Sequence, residues 1–240
     1  MVQHFAAVLI PFGICRECID ALDRELLPTF LGDLVATWQL IEHASLTLKR
    51  LLEQHVLATL HAPSVSIELA TTQAFPDLKM ASKPTITLFL YRCVENPELR
   101  NAPRRRLADG TLIRQPLVLE LCYLVTPWGV RGGTSTANDA AATQEEHRLL
   151  GLIMQCFYDH AEVGRAELFD DPGTPVWQPT DTMQVVMESL PVEDHYRIWD
   201  AGELSYRLSV TYRVRVLGLD PMLFQSTVPV VDATFTLEKP

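Results

Sequence analysis

Pro84-Thr-Ile-Thr-Leu-Phe-Leu-Tyr-Arg-Cys93 and Gln115-Pro-Leu-Val-Leu-Glu-Leu-Cys-Tyr-Leu-Val-Thr126 bound the stretch whose reading decides the fold. Both runs are rich in β-branched and aromatic residues and are bounded by proline or polar clusters, the signature of strands. Between them runs Val94-Glu-Asn-Pro-Glu-Leu-Arg-Asn-Ala-Pro-Arg-Arg-Arg-Leu-Ala-Asp-Gly-Thr-Leu-Ile-Arg114. Connections this long are uncommon in a compact domain and tend to be functional. From Arg92 to Arg114 there are six arginines against Glu95, Glu98 and Asp109. Two core strands thus carry an arginine-rich excursion with no catalytic pattern in it, and contact is its expected purpose.

Working outward, the alternation of Leu204, Tyr206, Leu208, Val210, Tyr212, Val214 and Val216 with Ser205, Arg207, Ser209, Thr211, Arg213 and Arg215 predicts one long antiparallel strand with one buried and one wet face. Further strands are expected at Ser64–Leu69 and Met183–Leu190. Apolar residues at helical spacing predict helices over residues 14–31, 35–60, 144–160 and 192–200. In the third, Leu149, Leu150, Ile153, Met154 and Phe157 are expected to face the core, with Glu145 and Glu146 in the first turn where the helix dipole favours them. Residues 71–82, 126–139 and 161–181 read as loops. The order predicts a single α+β domain: a mostly antiparallel sheet with helices packed on one face. Around it, residues 1–37 read as an N-terminal helical extension, 38–220 as the domain, and 221–240 as an extended C-terminal arm.

At 240 residues and 48% hydrophobic, the chain can build a substantial core. Its formal charge of −10 argues against general nucleic-acid binding, which needs net basic surface. The charge is segregated: residues 159–203 hold eleven acids against Arg165 and Arg197. Solvated surface accounts for this simply. The sharper alternative is electrostatic matching between neighbouring copies, with the arginine excursion on one side and the acidic segment on the other. Of the 20 basic residues 16 are Arg, the cation favoured at interfaces for its planar fork.

Five cysteines do not suggest a secreted disulfide framework, and Cys93 and Cys122 read as small core residues. Cys15-Arg-Glu-Cys18 near a helix start could be a redox pair, because the helix dipole lowers a thiol pKa. A four-ligand zinc site would need two more ligands, and His43, His55 and His61 are scattered. Gly132-Gly133 lacks the lysine and spacing of a phosphate loop. The N-terminal apolar run lacks a basic flank and a cleavage site and is too short to span a bilayer, so a soluble cytoplasmic product is expected.

Several of these segments, in order, resemble the cap, or tail-terminator, family of phage-tail-like contractile injection systems. The strand Leu88-Phe-Leu-Tyr91 runs into Glu95-Asn-Pro-Glu-Leu-Arg-Asn101 and then into the proline-led strand Pro116–Thr126. Glu146-His-Arg-Leu-Leu-Gly-Leu-Ile-Met-Gln155, the helix ending in Ile198-Trp199 and Tyr206-Arg-Leu-Ser-Val-Thr-Tyr-Arg-Val214 follow the same pattern. The resemblance spans residues 38–217, and Arg104-Arg105-Arg106 departs from it. It implies a non-enzymatic structural cap: a homo-oligomeric ring, typically six-fold, on the end of the inner tube and sheath distal to the baseplate. Such a ring stops polymerisation and holds the sheath extended, with no cofactor, no nucleic acid and no direct membrane contact. It would be made in the cytoplasm and join a particle that is released or membrane-attached.

On this reading the interface to a neighbouring subunit, sheath or tube is expected at Arg92, Arg100, Asn101, Arg104, Arg105, Arg106 and Arg114, at Asp170 and Asp171, and at Val230 and Phe235 of the arm. The alternatives are another part of the same particle (sheath, tube or baseplate adaptor) or a thiol redox protein using Cys15 and Cys18.

Overall fold

The computed structural model describes residues 38–60, 65–78, 82–98, 100, 103–106, 112–131, 136–172, 175–203, 205–219 and 224–225. These belong to one compact unit, Ala36–Pro240. The expected helix over 14–31, Cys15, Cys18 and the tail beyond Gln225 lie outside the described residues.

Helix α1 (Leu40–Leu60) contains no glycine or proline and buries Leu40, Ala44, Leu48, Leu52 and Val56, a strict four-residue spacing joined by Leu51. Strand β1 (Ser66–Leu69) follows, then a 3-10 turn (Thr72–Ala74) and the one-turn helix α2 (Phe75–Leu78), within the stretch expected to be loop. These carry the chain over to β2 (Thr85–Glu95), which pairs with β1 in parallel, Ser66 opposite Thr85 and Leu69 opposite Leu88. A parallel pair needs such a crossover.

Next come the two-residue strands β3 (Arg105–Arg106) and β4 (Leu112–Ile113), then β5 (Leu117–Trp128). Helix α3 (Thr136–Asp159), β6 (Glu162–Val163), β7 (Met183–Glu188), α4 (Val192–Asp200), β8 (Val210–Leu219) and β9 (Phe224–Gln225) complete the chain. The main sheet has six strands in the order β1-β2-β5-β8-β7-β6, antiparallel except for β1 with β2.

The single α+β domain with a mostly antiparallel sheet is therefore what forms, and the two long helices share one face as expected. Ile86 and Leu88 of β2, Leu121, Tyr123 and Val125 of β5 and Tyr212, Val214 and Val216 of β8 point into the core under α1 and α3. Ser45 of α1 and the Tyr123 hydroxyl satisfy each other across that core at 2.7 Å. The other face is not bare. Leu124 and Trp128 of β5 meet Phe75 and Leu78 of α2 and Trp199 of α4 in a second, smaller cluster. Phe75, Trp128 and Trp199 form its aromatic centre, with ring centroids 5.2–6.5 Å apart. Strand β5 is buried on both sides, so it reads as a continuous apolar run.

Three expectations are corrected. The 126–139 stretch is not a loop throughout: β5 continues to Trp128 and α3 begins at Thr136, eight residues before the expected start. Thr136–Thr143 is rich in alanine, a strong helix former, but offers no apolar stripe to count. Glu145 and Glu146 thus lie mid-helix, and Met154 is exposed while Leu152 and Cys156 are buried. Lastly, the alternating segment 204–216 is a strand only from Val210. The ladder partners stop there, at Val125↔Val210 and Glu188↔Thr211.

Two glycines sit where backbones approach closely. A Cβ on Gly129 would lie 2.3 Å from the Ala142 carbonyl oxygen of α3, and one on Gly218 would lie 2.6 Å from the Leu117 backbone.

Candidate assembly interface

The arginine excursion is a built structure. Strands β2 and β5 stay zipped to Glu95↔Leu119, with a bulge between Leu90 and Arg92. The Asn96 N–H then donates to the Val118 carbonyl at 2.9 Å, and the Asn96 side-chain oxygen accepts from the Glu98 N–H at 2.9 Å. This is an asparagine-started turn, which explains Asn-Pro at this point. Arg100 folds back onto Glu95 at 3.0 Å. Beyond it β3 and β4 pair antiparallel, and β9 adds to the far side of β4 as a third strand, Ile113 opposite Phe224. Ile113, 1% exposed, anchors this small sheet, and Gln115 donates to the Pro103 carbonyl at 2.9 Å.

The expected interface residues separate into groups. Arg100, Arg104, Arg106 and Arg114 are exposed on or beside the excursion. Arg105 lies on β3. Arg92 sits on the sheet face opposite the long helices, level with Cys122 of β5. Asp171 is exposed. Asp170 is different, because its carboxylate is engaged inside the subunit. It accepts from Arg165 at 2.5 Å and from the Val176 N–H at 2.8 Å, with the His43 ring nitrogen 3.6 Å away. Asn101, Val230 and Phe235 lie outside the described residues.

Much of the acidic segment is likewise used internally. Asp181 is buried and caps a turn through the Gln178 N–H at 2.8 Å. Glu188 accepts from Arg213, and Glu167 pairs with His160 at 2.9 Å. Asp159, Glu162, Asp171, Glu193, Asp200 and Glu203 remain on the surface.

Two ionic clusters escape simple pattern reading. On the half of the sheet face not covered by α2 and α4, buried Glu120 of β5 draws together Arg215 at 3.2 Å, Arg213 at 3.4 Å and the Asn96 amide at 3.3 Å. A lone acid in the β5 run, and two arginines on the wet face of β8, were its available signal. The second cluster centres on Glu146 of α3, 7% exposed. It accepts from Arg131 at 2.8 Å, from Arg207 at 3.1 Å and from the Gly129 N–H at 3.2 Å. The Arg207 guanidinium also lies 4.7 Å over the Trp128 ring. Burial and the neighbouring Arg131 pull the Arg207 pKa down. For Arg131, the lowering effect of burial is outweighed by the hydrogen bonds it donates to Glu146 and Asp139, and its pKa is raised. The cluster ties α3, the end of β5 and the approach to β8 into one corner.

Cys122 and Cys156 are buried, but Cys93, expected in the core, is exposed on the outer stretch of β2; none of the three described thiols is activated. Burial raises Cys93 and Cys122, and burial with nearby Asp159 pushes Cys156 up to about 12. Among the described residues no group of three or more His, Cys, Asp or Glu is placed to hold a metal ion, and no helix is long and apolar enough to cross a membrane.

Solved structures share this fold, two of them as follows. The first is the sheath/tube terminator, in the extended state, of an extracellular contractile injection system, PVC. It superposes with a TM-score of 0.54 at 18% identity, over 83% of this chain and 64% of that one. The second is the tube-terminating cap of the anti-feeding prophage, with a TM-score of 0.51 at 18% identity, over 81% of this chain and 60% of that one. The chain thus spans somewhat under two thirds of the length of each. No curated protein matches. The family model for the Pvc16 N-terminal domain matches residues 43–233, most of the chain. On that match, the protein belongs to the Pvc16 N-terminal domain family.

Proposed function

We propose that this protein is a structural cap. It forms a ring on the end of the inner tube and sheath of a contractile injection system, ends their polymerisation and stabilises the extended sheath. The observation that carries the reading is a fold shared over more than four fifths of the chain with two terminators of such particles. The protein works by geometry and catalyses nothing. Its partners are further copies of itself, six to the ring, and the sheath and tube subunits; nucleic acid and membrane are not among them. It is made in the cytoplasm and becomes part of the particle.

A head-to-tail ring needs two different patches on one subunit that fit each other. The exposed arginines Arg100, Arg104, Arg106 and Arg114 supply one, and the surface acids Asp159, Glu162 and Asp171 supply a partner for it. These groups sit at the same end of the strands: Glu95, where the excursion starts, lies level with Leu119, which pairs Val216, which pairs Met183 at the start of β7. On this reading residues 221–240 are assigned the role of an arm that adds to the sheath or a neighbouring cap. Unpaired strand edges are ready templates for such an addition.

Electron microscopy of particles carrying a tagged copy tests the reading. Label at one end only, opposite the baseplate, is expected. Label along the length would make the chain a sheath or tube subunit, and label at the baseplate would make it an adaptor.

A further inference from the structure

Two exposed apolar surfaces lie on opposite layers of the subunit. On the outer side of α3, Gly151, Met154 and Tyr158 follow one another at helical spacing, and Tyr158 is 83% exposed. Gly151 has no reason to be glycine within the subunit, since a Cβ there would meet nothing within 4 Å. A mid-helix glycine costs stability relative to alanine, and its use is close approach by another group. On the other layer, Tyr196 of α4 stacks on Tyr206 with centroids 4.3 Å apart and planes at 29°. Val192 and Leu208 extend this plate, and all four side chains are exposed. The α3 side packs over the main core and the α4 side over the aromatic cluster, so the sheet lies between them.

We propose that these two surfaces are the halves of one subunit interface, with the Tyr196–Tyr206 plate of one copy seated in the Gly151 notch of the next, between Met154 and Tyr158. Tyrosine is enriched at interface centres, and thioether–aromatic contacts are favourable. The flanking charges are opposite: exposed Arg148, also paired with Glu145, borders the α3 stripe, and exposed Glu193 and Asp194, the latter also paired with Arg197, border the plate. Because the surfaces differ, the pairing is head-to-tail rather than two-fold, and it makes a ring when the rotation from copy to copy closes. This inference rests on the ring reading above and deepens it by assigning the contact to a second copy of the chain.

The test uses the full chain with Cys15, Cys18 and Cys93 replaced by serine. A variant carrying both Tyr158→Cys and Tyr196→Cys, treated with a short bis-maleimide, is expected to give a covalent ladder up to the mass of the ring. Each single variant alone is expected to stay uncrosslinked. Efficient dimers from Tyr158→Cys alone would mean a two-fold contact and overturn the pairing. A ring that keeps its mass by light scattering but gives no ladder would overturn this inference and leave the ring standing. A parent chain that is monomeric in solution would overturn both. Gly151→Gln supplies the second variant, because the site is open within the subunit and the fold should be kept. It is expected to weaken association at least tenfold, and unchanged association would refute the notch.

Discussion

At the scale of single residues, Glu146 carries the most structure for its size. It is nearly buried, and Arg131, Arg207 and the Gly129 N–H all converge on it. Removing one partner of a buried ionic cluster strands the others. Glu146→Ala should therefore cost about 3 kcal/mol in urea unfolding, and a loss under a few tenths would mean the cluster is solvated. His195 offers a pH signature. Burial lowers its pKa, and its ring lies 3.0 Å from Ser209. The unfolded chain therefore binds this proton more readily than the folded one. Its contribution to stability is complete above the ordinary histidine value of about 6.5 and is lost as pH falls below it. The melting temperature should decline as pH falls below about 6.5, and His195→Gln should flatten that part of the curve. An unchanged curve would assign the decline to other groups.

At the scale of elements, the small sheet of β3, β4 and β9 makes the arginine excursion depend on the returning tail. A chain ending at Asp220 loses the β9 strand that flanks β4. Its amides at Arg104–Arg106 should exchange faster by hydrogen exchange, while β5 keeps its protection. Equal protection at Arg106 in both chains would show that β9 contributes nothing. This element was hidden in the sequence because two-residue strands carry no period, and β9 lies more than a hundred residues from its partner β4. The long strands β2 and β5 and helix α1 were legible, because burial against a single core imposes period or continuous apolarity on them. The alternation at 204–209 misled on pairing and on facing alike: the ladders stop at Val210 and Thr211, and Tyr206 and Leu208, expected to be buried, are exposed. Arg207 and Ser209 turn inward there, toward Glu146 and Trp199. Much the same limit applied to Asp170, whose charge was visible in the sequence while its internal partners Arg165 and Val176 were not.

At the scale of the molecule, a net charge of −10 coexists with a positive excursion. Contacts between exposed charges are screened by salt over about 10 Å at 0.1 M. Reversing Arg104, Arg105 and Arg106 to Glu should lower the mass of the assembly in light scattering, and the parent assembly should loosen as salt rises. A salt-insensitive hexamer would keep the ring and remove the charged contact from it. The central claim is that the protein ends a tube. It is tested most directly by the length distribution of particles, measured by electron microscopy, from cells with and without this chain. The account predicts a narrow distribution with it, and long, uneven tubes or prematurely contracted sheaths without it. Identical distributions in the two preparations would contradict the cap.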